Sequence, residues 1–164
     1  MSYPINSVPL PLHTLYNNSP IRQLLAKYGP STPKLAPATV AGRVLFMDDD
    51  THICTLTKNL LENLGYLCDL AKNGEEAIQL YHHAFKTGQP YGAVIMDLTV
   101  IGGMGGEEAF KQLHRFDPHV RAVITSGYEN DDLRRQFLGL GFRGYLPKPY
   151  RVGELGRMLQ TLLG

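Results

Sequence analysis

The chain of 164 residues is poor in cysteine, and its two cysteines are far apart. Cys54 and Cys68 stand fourteen positions apart, without CxxC spacing and without a cluster of histidines. Structural zinc needs closely spaced Cys and His ligands, and a disulfide framework needs more cysteines, so the pattern argues against both. We expect two buried, reduced thiols.

The sequence also lacks a strong charge of either sign and a long apolar run. A net charge of +1 offers no broad basic surface to a polyanion, so no nucleic-acid binding is predicted. No apolar run approaches the ~20 residues of a membrane helix, and the opening MSYPINSVPLPL lacks the basic start and apolar core of a signal peptide. We therefore expect a soluble, cytoplasmic protein without a membrane segment.

The first 42 residues differ in composition from the rest. They hold seven of the eleven prolines and no acidic residue, whereas the later part alternates apolar runs with helical patterns. We therefore predict a Pro-rich N-terminal extension or linker over 1–42 and a folded domain over 43–164. Within the extension, Ser19 before Pro20, apolar residues at helical spacing, and Gly29 after them predict one short helix over 20–28.

Five segments of the folded domain have the features of strands. Three are short, uninterrupted, β-branched runs of the kind found in strands buried on both faces: VLFM (44–47), AVIM (93–96) and AVIT (122–125). Two weaker candidates, 66–71 and 144–146, would lie at the flanks of the same sheet. Strands alternating with helices predict an α/β fold, a doubly wound parallel sheet of flavodoxin-like (βα)5 type with strand order 2-1-3-4-5.

Five helical patterns follow these strands. The first ends at Gly65 and has four apolar residues at helical spacing: Ile53, Leu56, Leu60 and Leu64. The second opens with a capping box of Asn73 and Glu76 and carries His82 and His83 on its polar side. The later patterns centre on 109–113, 133–137 and 152–162, and we assign Leu133, Phe137, Leu155 and Leu159 to the core.

Acidic residues stand where two neighbouring strands end. Asp48, Asp49 and Asp50 follow the first strand and Asp97 ends the third, so the predicted strand order brings three or four carboxylates together. Such a buried cluster must protonate or bind a cation, and an all-oxygen ligand set favours Mg²⁺. Any one of the three consecutive aspartates, Asp50 above all, could instead cap the next helix.

A hydroxyl and an ammonium are predicted at the same edge. The fourth strand ends at Ser126 before Gly127, and the fifth is followed by Lys148 and Pro149. A carboxylate, a divalent cation, a hydroxyl and a lysine are the groups needed to transfer a phosphoryl group to a carboxylate. The glycine-rich segment 102–106 lacks the Lys-Ser/Thr of a P-loop, and we interpret it as a flexible connector.

Taken together, these segments resemble the receiver domain of response regulators over residues 43–164. VLFMDDD looks like the family's acidic first strand, MDLTVIGGMGG like its phospho-acceptor segment, TSGY like its hydroxyl position, and GYLPKPY like its aromatic and lysine signature. These motifs are most similar to those of receivers at the C-terminus of hybrid histidine kinases. The resemblance therefore implies a protein of two-component phosphorelay signalling that is not itself an enzyme. The chain would be either part of a hybrid histidine kinase or a separate receiver protein.

The resemblance also implies a role for each site residue. Asp97 would accept a phosphoryl group from the phosphohistidine of a histidine kinase or histidine phosphotransfer protein. Mg²⁺ would be held by Asp49, Asp97 and the backbone carbonyl of Thr99, with Asp48 assisting through water. The switch residues would be Ser126, Tyr145 and Lys148, with Tyr145 turning from an outer to an inner position, Gly127 and Tyr128 modulating the lifetime of the phosphate, and the Lys148-Pro149 bond cis.

Two departures from the family pattern bear on the loop after Asp97. The usual proline four residues after the acceptor is Ile101, and the glycine loop is one residue longer. The output surface would be helix 4, strand 5 and helix 5, where a phosphorylation-dependent homodimer is one alternative to an unknown protein partner. Two rival functions are a haloacid-dehalogenase-like phosphatase with Asp48 as nucleophile and a pseudo-receiver that binds partners without being phosphorylated.

Overall fold

The structure, a computed structural model, describes residues 42–128 and 130–164. The predicted extension, apart from Gly42, and its short helix over 20–28 lie outside the described residues. Within the described part of the chain, no helix is both long enough and apolar enough to cross a membrane.

Five parallel strands form one sheet in the order β2-β1-β3-β4-β5. Their bounds are β1 Gly42–Met47, β2 Tyr66–Ala71, β3 Ala93–Asp97, β4 Ala122–Ser126 and β5 Gly144–Pro147. The three predicted central strands are buried along nearly their whole length because helices cover both faces of the sheet. The predicted fold class and strand order are confirmed.

A helix follows each strand. The helices are α1 Thr51–Asn63, α2 Gly74–Lys86, α3 Gly106–Phe116, α4 Asp131–Leu140 and α5 Val152–Leu163. Side chains alternate across the strands, so that Leu45 and Met47 pack with α2, α3 and α4, whereas Val44 and Phe46 pack with α1 and α5. Because the carboxyl ends of parallel strands all lie at one edge of the sheet, any residue that directly follows a strand lies at that edge.

The buried face of α1 differs from the predicted one. Cys54, Thr57 and Leu61 are its buried residues, whereas Leu56 is 61% exposed. The apolar spacing had placed Leu56 on the core side, which is wrong. The other three predicted residues, Ile53, Leu60 and Leu64, pack against the core. Thr57, although polar, is buried because its hydroxyl pairs with that of Tyr150, 2.9 Å away.

The capping box predicted at the N-terminus of α2 has one of its two hydrogen bonds. The Asn73 side chain accepts a hydrogen bond from the Glu76 amide at 2.9 Å, but the Glu76 carboxylate accepts from the Lys72 amide at 2.8 Å instead of closing the box on Asn73. His82 is not on a fully polar face: it is half-buried, with its ring centroid 4.2 Å from that of Phe116. The end of α3 covers this side of α2.

Candidate functional site

Three aspartates meet at the carboxyl edge of the sheet. Asp48 follows β1 and Asp97 ends β3, and the pairing of Met47 with Met96 puts the two carboxylates side by side. Asp49 joins them, with one oxygen from each of the three within 4.8 Å of the others. Asp48 and Asp97 are 1% and 7% exposed, and Asp49 is partly exposed. The acidic cluster expected from the strand order is therefore present.

Asp50 does not belong to this cluster. Its Oδ1 accepts hydrogen bonds from the amides of His52 and Ile53, at 2.8 and 3.2 Å, and so caps α1. These two amide donors hold the pKa of the Asp50 carboxyl below its usual range. Of the three consecutive aspartates, Asp50 is the one that only caps a helix.

Lys148 lies between the two buried aspartates. Its Nζ is 2.6 Å from Asp48 Oδ2 and 3.1 Å from Asp97 Oδ1. Burial alone would lower the pKa of this ammonium, but its hydrogen bonds to and attraction by the two carboxylates raise it. Lys148 is therefore charged at neutral pH and acts as an internal counter-ion. The peptide bond that follows it, to Pro149, is cis.

The surroundings of Asp97 favour the protonated form of its carboxyl. Burial raises the pKa of its carboxyl, Lys148 opposes the rise, and the negative charges of Asp48 and Asp49 add to it. A carboxylate that is costly to keep charged is one that gains from a cation or from covalent modification.

The end of β4 brings a hydroxyl to the same edge. Ser126 is 2% exposed, and its Oγ accepts a hydrogen bond from the Tyr128 amide at 3.1 Å, which leaves the hydroxyl proton free to be donated elsewhere. A side chain at Gly127 would meet nothing within 4 Å, so the approach beside Ser126 is open. The side chain of Tyr128 is 72% exposed.

Tyr145 on β5 is tied to this loop. Its ring is 7% exposed and packs 6.4 Å from the ring of Phe137 on α4, and its hydroxyl donates to the backbone carbonyl of Tyr128. The structure thus has Tyr145 in the inner position, bonded to the segment that follows Ser126.

The loop from β3 to α3 is anchored and is not the flexible connector that was predicted. The Ile101 amide donates to Asp49 Oδ2 at 3.1 Å. The Met104 carbonyl accepts from the Gly74 amide at 2.8 Å, and the Met104 amide donates to Glu75 Oε2 at 3.1 Å. A Cβ at Gly74 would be 2.7 Å from Met104 Cγ, so the absence of a side chain there allows this contact. Gly105 and Gly106 likewise have no room for a Cβ, so these glycines allow close contacts within the loop.

Sequence reasoning missed two of these contacts. The Ile101 amide is a backbone group and leaves no signal in a residue pattern. The pairing of Tyr150 with Thr57 had a weak signal, since Thr57 stands between Cys54 and Leu61 on the buried face of a helix, where a polar side chain needs a partner. Burial raises the pKa of Tyr150, which therefore stays protonated.

A doubly wound sheet with this acidic edge and its lysine is the arrangement of the phosphate-accepting domains of two-component signalling. The family model described as the response regulator receiver domain matches residues 44–160, and the chain belongs to that family. Domains of this family receive phosphoryl groups from histidine kinases or phosphotransfer proteins, and nothing in the comparisons supports the two rival functions.

Relatives of the chain include both response regulators and kinases. The transcriptional regulatory protein QseB of Haemophilus influenzae is 30% identical over 74% of this chain and 52% of its own length, and ZraR of Klebsiella oxytoca is 29% identical over 73% and 26%. Hybrid signal transduction histidine kinase I of Dictyostelium discoideum is 24% identical over 73% of this chain and 7% of its own length. The chain thus spans about half or less of the curated relatives it matches.

Solved structures give the same fold. The receiver domain of sensor histidine kinase PA1611 from Pseudomonas aeruginosa PAO1, with magnesium in its active-site cleft, has a TM-score of 0.65 and 25% identity over 75% of this chain and 98% of that one. A LuxR-family response regulator from Aurantimonas has a TM-score of 0.66 and 26% identity over 74% and 84%. The acidic cluster here is consistent with the magnesium of the first.

Proposed function

We propose that Asp97 is the phospho-acceptor of this receiver domain. The observation that carries the proposal is the position of its carboxylate, which adjoins Asp48 and Asp49 and lies 3.1 Å from the ammonium of Lys148. Nucleophile, cation ligands and a donor for phosphoryl oxygens are thus together at one edge. A pseudo-receiver would have no need of all these groups.

The donor set fits Mg²⁺, since it offers carboxylate oxygens and neither sulfur nor imidazole. We propose that Asp49, Asp97 and the backbone carbonyl of Thr99 bind the ion, with Asp48 assisting through water. When bound, the ion would neutralise charge on the phosphoryl oxygens. Both oxygens of Asp48 accept a hydrogen bond, from the Asp50 amide at 2.9 Å and from Lys148, which favours a supporting role for Asp48 over that of nucleophile.

The transfer itself exchanges one bond for another. A carboxylate oxygen of Asp97 attacks the phosphorus of a partner's phosphohistidine, the O–P bond forms as the N–P bond breaks, and the imidazole leaves with the electron pair. Lys148 would contact the phosphoryl oxygens, and the Ser126 hydroxyl would donate its remaining proton to them. The chain therefore catalyses only its own phosphorylation and hydrolysis.

The switch would use the contacts around Ser126. A hydrogen bond from Ser126 to the phosphoryl group draws its loop inward, and the bond from Tyr145 to the Tyr128 carbonyl favours the same position, so phosphorylation shifts a population between two states. Tyr128 and the open position at Gly127 would set how readily water reaches the acyl phosphate. Replacing Tyr128 with Ala is expected to shorten the phosphorylated lifetime.

The output surface would be α4, β5 and α5. A groove of about 510 Å³ lies there, lined by three arginines, Arg134, Arg143 and Arg157, and by one acidic residue, Glu154. The excess of positive charge favours an acidic partner or an acidic patch of a second copy. We further propose that the domain works in the cytoplasm and begins near residue 43, after the Pro-rich extension. Its phosphoryl donor would be a histidine kinase or a phosphotransfer protein, either of its own hybrid chain or of another.

Intact-mass analysis after incubation with acetyl phosphate tests the proposal. We expect one phosphoryl group to be added with Mg²⁺ and none with EDTA, and none to Asp97→Asn. Asp50→Asn is the matched control and should be labelled normally, because asparagine also caps a helix. Labelling that persists in Asp97→Asn but is lost in Asp48→Asn would favour the phosphatase, and no labelling of the native chain would favour the pseudo-receiver.

A further inference from the structure

Asp49 is the member of the acidic cluster that Lys148 does not hold. The ammonium of Lys148 contacts Asp48 and Asp97. Among the described residues, the hydrogen bond recorded to the Asp49 carboxylate comes from the backbone amide of Ile101, 3.1 Å from Oδ2. Asp49 is also more exposed than its two neighbours, so its side chain has more freedom to turn away.

Ile101 reaches the site through its backbone and not through its side chain. Its side chain is 88% exposed and contributes little packing. The amide bond links the loop after β1 to the loop after β3, across 52 positions of sequence. A proline at this position, as in the receiver pattern, could not make the bond, because proline has no N–H.

The loop that carries this amide is fixed from its other side. Both backbone groups of Met104, three residues further on, are bonded to the start of α2, through the Gly74 amide and the Glu75 carboxylate. Gly102 has a φ of +74°, a left-handed conformation that turns the chain between Ile101 and Met104. The donor is therefore held in place before any ligand arrives.

We infer that the Ile101 amide is a positioning group that orients the Asp49 carboxylate for a divalent cation. A hydrogen bond to one carboxylate oxygen fixes the plane of the group and leaves the other oxygen available to the ion. Such outer partners of metal ligands typically change affinity by about 10- to 100-fold when removed. The inference rests on the proposed role of Asp49 in Mg²⁺ binding and deepens it.

The test is calorimetric titration of MgCl₂ into the native chain, Ile101→Pro and Ile101→Ala. Alanine keeps the amide and removes the exposed side chain, so its Kd should stay within about twofold of native, whereas proline should raise the Kd about tenfold. The melting temperature of each variant in EDTA checks that the fold is kept. In an Asp49→Ala background, where the acceptor is gone, proline should cause no further loss of affinity.

Three results would overturn the inference or its basis, and they are distinguishable. Equal Kd values for the proline and alanine variants, whether both native or both weakened, would show that the amide does not position Asp49. A native chain that binds no Mg²⁺ would instead refute the proposed function. Should Ile101→Pro not fold, hydrogen exchange of the Ile101 amide in EDTA decides: protection lost in Asp49→Ala supports the bond, and equal exchange in both chains rejects it.

Discussion

Replacing Asp97 with asparagine should make the metal-free domain more stable at neutral pH, although it abolishes the proposed function. Asp97 and Asp48 have carboxylate oxygens within 4.8 Å of each other, so at an effective dielectric near 20 their repulsion is roughly 3.5 kcal/mol or more, and the partly exposed Asp49 adds a screened fraction of that. Attraction to Lys148 at 3.1 Å is roughly 5 kcal/mol, so the charge terms nearly cancel. Burial of the carboxylate then decides the sign, and we expect a gain of about 1–2 kcal/mol.

The pH dependence follows from the raised pKa of Asp97. A carboxyl whose pKa is higher in the folded than in the unfolded state contributes stability below its unfolded value, about 3.9, and that contribution is lost as the pH rises through the folded value. The advantage of Asp97→Asn should therefore be larger at pH 7 and shrink as the pH falls towards 4. Asp50→Asn should have the opposite sign at pH 7, because the pKa of Asp50 is lowered in the folded state.

Urea unfolding followed by circular dichroism at 222 nm, in EDTA and over a range of pH, measures both variants. Adding Mg²⁺ should place native above Asp97→Asn, since a ligand at 100 times its Kd stabilises the folded state by about 2.7 kcal/mol and Asp97→Asn lacks one of the proposed ligands. Asp50→Asn keeps the proposed site and should remain less stable than native. The reasoning is refuted if Asp97→Asn is less stable than native in EDTA at pH 7, or if the difference does not depend on pH.

Three other substitutions or reactions test the packing around the site. Tyr150→Phe should lower the free energy of unfolding by about 1–3 kcal/mol, because it leaves the buried Thr57 hydroxyl unpaired. Adding Thr57→Val should recover part of this loss in urea unfolding. Strictly additive effects in the double variant would argue against the bond. Gly106→Ala should destabilise the fold by more than about 2 kcal/mol, since its Cβ would lie 2.6 Å from the Asp97 carbonyl oxygen. The control Gly139→Ala, which lies in open space on α4, should be neutral or stabilising. Thermal melting compares the two variants with the native chain. Burial raises the pKa of Cys54 to about 11, so Ellman's reagent at pH 8 should leave it unreacted until the chain is unfolded.

Much of the fold could be predicted because its signals are local. The central strands are short β-branched runs, and the strand order follows from their regular alternation with helices. The prediction for Leu56 failed because periodicity counts apolar residues only, and the interior accepted a polar Thr57 that found a hydroxyl partner 93 positions away. No local pattern contains that information.

The site divides in the same way. The meeting of Asp48, Asp49 and Asp97 could be predicted, since it needs only the strand order and the rule that parallel strands end at one edge. The anchoring of the loop over 102–106 could not, because it depends on backbone groups and on a contact at Gly74 that exists only once α2 is in place. The glycines of this loop were interpreted as a source of flexibility, whereas the contact at Gly74 helps to anchor the loop to α2.

The position of Lys148 has a consequence for the kind of ion and for the switch. Three carboxylates and one ammonium leave two negative charges in a largely buried place, so one divalent ion neutralises the edge and one monovalent ion does not. An acyl phosphate would then bring about one negative charge more than the aspartate it replaces. Because the three carboxylates already balance the ammonium and the ion, the extra charge would need hydrogen-bond donors. The Ser126 hydroxyl, whose oxygen accepts from the Tyr128 amide, has a proton to donate and lies at the same edge. Closure of the loop after β4 would thus bring the Ser126 hydroxyl to the phosphoryl group and help to balance the charge that phosphorylation adds.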